Sequence, residues 1–163
     1  MQRLIVIVVA LAAAGFGGWL ALQQQASTGP AVVYATDLNG QNLDPGQGTG
    51  RPKLINFWAS WCKPCVVELP LIEALAQEQR AQLDVLAIAI DTLPHVQEFL
   101  AKHPLELPIA VGSPYASDLM AEWGNDKSAL PFSVLLDAEG NLLKKHTGPF
   151  DANTLAAFVS IPE

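Results

Sequence analysis

Apolar and polar positions alternate along this chain in blocks, and the block lengths change from place to place. Leu4 to Leu22 is nineteen residues without a charge. Leu54 to Trp58 and Leu83 to Ile90 are short, nearly continuous apolar runs, the pattern of strands buried on both faces. From Cys65 to Gln79 the apolar positions Val66, Leu69, Ile72, Leu75 and Ala76 recur at helical spacing. Pro94 to Lys102 and Tyr115 to Trp123 read as further helices, the second stopped by Gly124. Leu107 to Val111 reads as a short strand. Phe132 to Leu136 and Leu142 to Thr147 read as two strands joined through 137–141. Asp151 caps a final helix over Ala152 to Val159. Before these, Val32 to Leu43 suggests a hairpin turning at Asn39-Gly40, followed by a Gly/Pro-rich loop from Asp44 to Pro52. Strands alternating with helices, then a hairpin and a last helix, give an α/β domain with a mixed central sheet.

The amino-terminal block changes the picture from one domain to three segments. A nineteen-residue helix is about 28 Å long, close to the hydrocarbon thickness of a bilayer. Arg3 precedes it, and the next Lys or Arg is Arg51. The positive-inside bias then keeps the amino terminus in the cytoplasm and exports the remainder. A cleaved signal with Leu4 to Leu11 as its apolar region and Ala12-Ala13-Ala14 at the cut also fits. The run continues through Phe16, Trp19, Leu20 and Leu22, which suits an anchor better. Residues 1–22 are therefore read as a transmembrane anchor or uncleaved signal, 23–30 as a linker and 31–163 as the folded domain. The expected location is a single-pass membrane anchor with the folded domain on the extracytoplasmic side.

Charge narrows the partners. The chain carries a formal net charge of -7, and its longest basic run is Lys144-Lys145. Nucleic-acid binding and a polybasic lipid patch have no support in such a sequence. The expected membrane contact is the amino-terminal helix alone.

The two cysteines of the chain lie in Trp61-Cys62-Lys63-Pro64-Cys65. A disulfide closing so short a loop removes only about 2 kcal/mol of unfolded-chain entropy, too little to be its purpose in a domain with a good core. Zinc needs four ligands, and there is no second cysteine pair; His95, His103 and His146 are scattered and read as surface or satisfied histidines. No metal ligand set and no cofactor are expected. Copper(I) on the two thiolates, with His146 as the late histidine that could partner them, is the alternative reading. Redox exchange fits best. The pair sits where a strand turns into a helix, so Cys62 lies at a helix amino terminus, where unpaired N–H groups and the macrodipole favour a thiolate. Lys63 adds a positive neighbour, and Pro64 is tolerated in a first turn. Cys62 is then the attacking thiolate and Cys65, one turn further in, resolves the mixed disulfide.

The segment Ile55-Asn-Phe-Trp-Ala-Ser-Trp-Cys-Lys-Pro-Cys-Val-Val-Glu-Leu-Pro70 resembles the active-site stretch of the TlpA/ResA-like thioredoxins, extracytoplasmic and usually membrane-anchored disulfide reductases of bacteria. The resemblance runs over roughly Ala31 to Ile161. It implies the thioredoxin fold with an amino-terminal hairpin extension, protein disulfides or thiols as substrates, and a membrane electron donor of the DsbD or CcdA type. It implies a cis Leu130-Pro131 bond facing the cysteines, with the Leu130 backbone free to pair with an extended substrate. It places Gly148 beside the site, leaving room for a partner, and Trp61 on the docking surface. Trp58, Trp123 and Phe132 are expected in the core. Glu68 matches the carboxylate of the family's CxxCxxE pattern, proposed to assist proton transfer; a solvated helix glutamate is the competing reading. Thioredoxins proper have a buried Asp six residues before the first cysteine, and Asn56 stands there. Two departures affect partner choice: Phe132-Ser133 follows the proline where cytochrome-c-maturation members carry an acid, and 125–129 replaces the usual short approach to it.

Overall fold

The computed structural model describes residues 32–160. The segments read above as anchor (1–22) and linker (23–30) lie outside the described residues, and among those described no helix is long and apolar enough to cross a membrane.

Seven strands form one sheet. They are β1 (Ala35–Asp37), β2 (Asn42–Leu43), β3 (Lys53–Trp58), β4 (Asp84–Ala89), β5 (Ile109–Gly112), β6 (Phe132–Leu136) and β7 (Leu142–Thr147), in the spatial order β2-β1-β5-β4-β3-β6-β7. Four helices accompany them: α1 (Lys63–Glu78), α2 (Leu93–Lys102), α3 (Ala116–Glu122) and α4 (Ala152–Val159). The crossover strands β3, β4 and β5 pair in parallel, whereas β6 pairs antiparallel with β3 and β7 antiparallel with β6. The amino-terminal hairpin β1–β2 adds to the free edge of β5 antiparallel. This is the thioredoxin fold with the expected hairpin extension.

The central strand explains the layering. Every residue of β3 is buried. Leu54 and Trp58 point into a core shared with Leu69 and Ile72 of α1, Val96 of α2 and Leu155 of α4. Ile55 and Phe57 point the other way, into a core with Met120 of α3, Trp123 and Phe132. Strand periodicity of two thus feeds both faces of the sheet at once. The three tryptophan and phenylalanine residues expected in the core are there.

Element ends fall within one or two residues of the pattern-based reading. Gly124 takes φ +89°, a left-handed conformation that ends α3, and its N–H donates to Ala121 O at 2.8 Å. Asp151 forms a full capping box with Thr154, the side chain of each accepting the other's backbone N–H. α1 carries Pro70 in its interior, so the Val66 carbonyl lacks the donor that an ordinary residue would supply.

Candidate active site

The site is built at the junction of β3 and α1. Ala59, Ser60 and Trp61 leave the strand, and Cys62 becomes the N-cap of α1 with extended backbone angles (φ -83°, ψ 92°). Its carbonyl accepts from Val66 N at 3.1 Å, the first turn of the helix. No side chain caps this terminus, and the first turn holds no acidic residue. The unpaired amide dipoles at Cys62 therefore meet no opposing negative charge in that turn. Cys62 and Cys65 form a disulfide, with their Cα atoms 5.3 Å apart. Cys65 is fully buried, and Cys62 retains 6% exposure. The asymmetry matches the assignment of Cys62 as the reachable sulfur.

Around Cys62 in the chain, Trp61, Lys63 and Pro64 are all exposed. Trp61, next to Cys62, is 69% exposed. Leu130-Pro131 is a cis peptide bond, as the resemblance implies, and Leu130 packs against the core cluster that holds Cys62 and Cys65. Pro131 O accepts from Gly148 N at 2.9 Å, which ties the exit of β7 to the proline. Gly148 has φ +107° and nothing within 4 Å of where a Cβ would stand. Its backbone angle calls for glycine, while the space before it is open. The approach to the proline is rigid: the buried Asn125 side chain donates to Ala129 O at 2.9 Å and accepts from Ala129 N at 3.0 Å.

Behind the disulfide lies the polar part of the site. Glu68, one turn after Cys65, is 2% exposed, so the reading of a solvated helix glutamate is overturned. Its position on the α1 face that also carries Cys65, Leu69 and Ile72 drives it into the protein. Oε1 accepts from Asn56 Nδ2 at 2.9 Å, and Oε2 accepts from Phe150 N at 2.8 Å. Burial pushes the carboxyl above the usual carboxylate range, and these two donors together with the charge of His146 only partly offset it. Asn56, which stands where other thioredoxins carry an acid, thus orients one instead. It also donates to Ser133 Oγ at 3.0 Å.

Two features escaped the sequence reading. Asp91, at the end of β4, accepts from Ser60 Oγ at 2.5 Å, Ser60 N at 3.1 Å, Thr92 N at 2.8 Å and His95 Nδ1 at 3.0 Å. It clamps the loop that delivers the cysteines. The hint in the sequence was an acid closing an apolar strand, four residues before His95. The second is His146, expected to be exposed or satisfied. Its ring stacks on Phe150 with centroids 4.2 Å apart, and its Nε2 is buried without a hydrogen-bond partner. Among the described residues no three His, Cys, Asp or Glu side chains gather as a metal-binding group. His146 is engaged with Phe150, which gives the copper reading no geometric support.

The redoxin family profile matches residues 24–159. The chain belongs to the redoxin family. Among relatives, this redoxin is 26% identical over 153 residues to the thiol-disulfide oxidoreductase ResA of Bacillus thuringiensis subsp. konkukian, covering 90% of this chain and 86% of that protein. It is 27% identical to the thiol:disulfide interchange protein HelX of Rhodobacter capsulatus, over 95% and 93% of the two chains. The crystal structure of a thioredoxin-related protein from Neisseria meningitidis serogroup B superposes with a TM-score of 0.68 at 26% identity, over 77% of this redoxin and 95% of that chain. The TlpA/ResA-like resemblance of the cysteine segment is therefore carried by the whole folded domain.

Proposed function

We propose that this redoxin is an extracytoplasmic thiol-disulfide oxidoreductase that reduces disulfides in other proteins through Cys62 and Cys65. The observation that carries the reading is the disulfide at the amino terminus of α1, with Cys62 retaining slight exposure and Cys65 fully buried one turn before a buried carboxyl group. In the reduced protein the Cys62 thiolate attacks one sulfur of a substrate disulfide. A Cys62–substrate bond forms, and the other substrate sulfur leaves as a thiolate and takes up a proton. Cys65 then gives its proton to Glu68 and attacks Cys62. The Cys62–Cys65 bond forms, and the second substrate sulfur leaves as a thiolate and takes up the proton held by Glu68, which returns to its starting state. Two electrons and two protons pass to the substrate in all, and the protein is left oxidised.

Trp61 supplies an apolar contact for the partner. The Leu130 backbone, held by Pro131, pairs with an extended segment of it, and Gly148 lets that segment approach. A membrane protein of the DsbD or CcdA type returns the electrons by dithiol exchange. The apolar run from Leu4 to Leu22, preceded by Arg3, anchors the chain in the bacterial inner membrane with the redox domain in the periplasm.

The test is trapping with the full-length chain. Cys65→Ala leaves the mixed disulfide unresolved, so the client accumulates covalently on Cys62 and is identified by mass spectrometry. Absence of any client adduct, in a variant whose Cys62 still reacts with a small disulfide, sinks the assignment. A measured redox potential near that of strong oxidants, about -120 mV, reverses the direction of electron flow.

A further inference from the structure

Asn56, Glu68 and Ser133 form a polar group buried between β3, β6 and α1. Asn56 Nδ2 donates to Glu68 Oε1 at 2.9 Å and to Ser133 Oγ at 3.0 Å, so both of its hydrogens are used at one end of the amide. Oδ1, at the other end, is buried without a partner among the described residues. The second oxygen of the carboxyl is held differently. Oε2 accepts from the backbone N–H of Phe150 at 2.8 Å, a donor that cannot become an acceptor. Glu68 and Ser133, by contrast, can each play either part. A carboxylate only accepts, its protonated form also donates, and a serine hydroxyl rotates to suit. An amide carries a donor at one end and an acceptor at the other, and a half-turn about its last torsion exchanges the two with little change of shape. For Asn56 that half-turn breaks no bond at Oδ1, because Oδ1 makes none. One end of the amide is unpartnered either way, so what Glu68 and Ser133 present decides its orientation.

We propose that the Asn56 amide turns over with each proton that Glu68 takes up and releases: Nδ2 holds the carboxylate, and Oδ1, swung into the same place, holds the acid. Asn56 is then a positioning residue for disulfide exchange. This rests on the reading of Glu68 as the acceptor of the Cys65 proton. In that step the Cys65 S–H bond breaks, an O–H bond forms on Oε1, and the electron pair stays on the sulfur that attacks Cys62. With Nδ2 still in place, an N–H would face the new O–H. After the half-turn, the Glu68 and Ser133 hydroxyls both donate to Oδ1. When the proton passes to the departing substrate sulfur, Nδ2 returns. A second fixed N–H in its place would favour the carboxylate alone and oppose uptake of the proton. An ionised carboxylate there would favour the acid alone and oppose its release. The amide serves both halves of the cycle. Burial lifts the Glu68 carboxyl, and its two donors offset this only in part, so the protonated form is accessible. The titratable side chains nearby are Cys65, on the same helix, and His146, opposite Ser133 in register on β7. Among the described residues neither is hydrogen-bonded to Asn56.

The experiment follows the full-length oxidised protein, isotope-labelled and in detergent micelles, through a pH titration by NMR. The Glu68 carboxyl carbon reports its protonation. Nuclear Overhauser contacts from the two Asn56 amide protons report which end of the amide faces Ser133. The expected result is contacts to the Ser133 β protons above the Glu68 midpoint and their loss below it, the two transitions sharing one midpoint. Contacts that persist unchanged through the Glu68 transition overturn the proposal. This readout needs no substitution, so it stands whether or not variants at this buried position fold. Full-length Asn56→Leu keeps the bulk and removes both ends of the amide. It should slow resolution of a preformed Cys62 mixed disulfide about tenfold, the worth of one hydrogen bond to a charged group. A folded Asn56→Leu protein that resolves at the wild-type rate also overturns the proposal. Glu68→Gln separates the two ideas. A resolution rate indifferent to Glu68→Gln overturns the acceptor reading and this inference with it. A rate that falls in Glu68→Gln, beside an Asn56 amide that never turns, overturns this inference alone.

Discussion

Two carboxylates serve the two sides of the redox loop, and their surroundings drive them apart. Asp91 stands on the outer side, and burial pushes its carboxyl up. Donors from the Ser60 hydroxyl, the Thr92 backbone, His95 and the Ser60 backbone outweigh that and hold it below the usual range. Glu68 stands on the inner side with two direct donors, Asn56 and Phe150, and burial wins. The same functional group thus becomes a fixed anion in one place and a group inclined to hold a proton in the other. The fixed anion is useful for holding a loop, and the second for exchanging protons with a sulfur.

The sharpest break comes from the inner side. Glu68→Gln should slow resolution of the Cys62 mixed disulfide by about 100-fold, the low end of what a positioned acid–base group contributes. Stopped-flow thiol exchange on the full-length protein measures it, and an unchanged rate would remove Glu68 from the chemistry. On the outer side the effect should fall on stability. Asp91→Ala leaves the Ser60 and Thr92 amides without their acceptor and should cost about 1–3 kcal/mol in urea unfolding. Equal midpoints for variant and wild type would show that the clamp is ornamental.

The pH dependence has opposite signs at the two acids, which sharpens the contrast. Asp91 has a depressed folded value, so its stabilisation is complete above its unfolded value of 3.8 and is lost as pH falls through the folded one. Glu68 has a raised folded value, so its contribution is complete below the unfolded value of 4.5 and is lost as pH rises through the folded one. Unfolding curves for wild type, Asp91→Ala and Glu68→Gln across that range should diverge in these two directions. Parallel curves would mean that the two environments do not differ. The smallest effect belongs to His95→Ala. His95 is exposed and makes one contact to Asp91, so its loss should cost less than about 0.5 kcal/mol. A larger cost would shift the clamp's strength from the backbone donors to the imidazole.

The sheet was legible in the chain because its strands are continuous apolar runs and its helix ends carry Asp151 and Gly124 in cap positions. The boundaries drifted where local polar chemistry intervened. Ser113 Oγ accepts the Tyr115 N–H, so α3 starts one residue later than its periodicity suggests. At the site, the cysteine pair was legible because its spacing is local chemistry, whereas the cis proline was legible only through the family resemblance, since an X–Pro bond alone is seldom cis. The burial of Glu68 was not. One of its oxygens is held by the Phe150 amide 82 residues away, and the other by Asn56, a strand residue whose sequence signal is only the lack of a proton to give. The orphan nitrogen of His146 was hidden for a similar reason. β7 is an edge strand whose residues alternate between exposed and half-covered, and only the docking of α4 and Phe150 decides which side is closed.

Lys144 lies on that same strand, and its amine donates to the carbonyls of Ala157, Phe158 and Ser160 at 3.4, 3.0 and 2.6 Å. A single flexible arm therefore stitches the terminal turn to the rim of the sheet. Acylating that nitrogen would unfasten the turn bearing Phe158, the ring that roofs His146. Amide exchange at 156–160 should then quicken first, and the loosening would travel inward to the acid behind the cysteines.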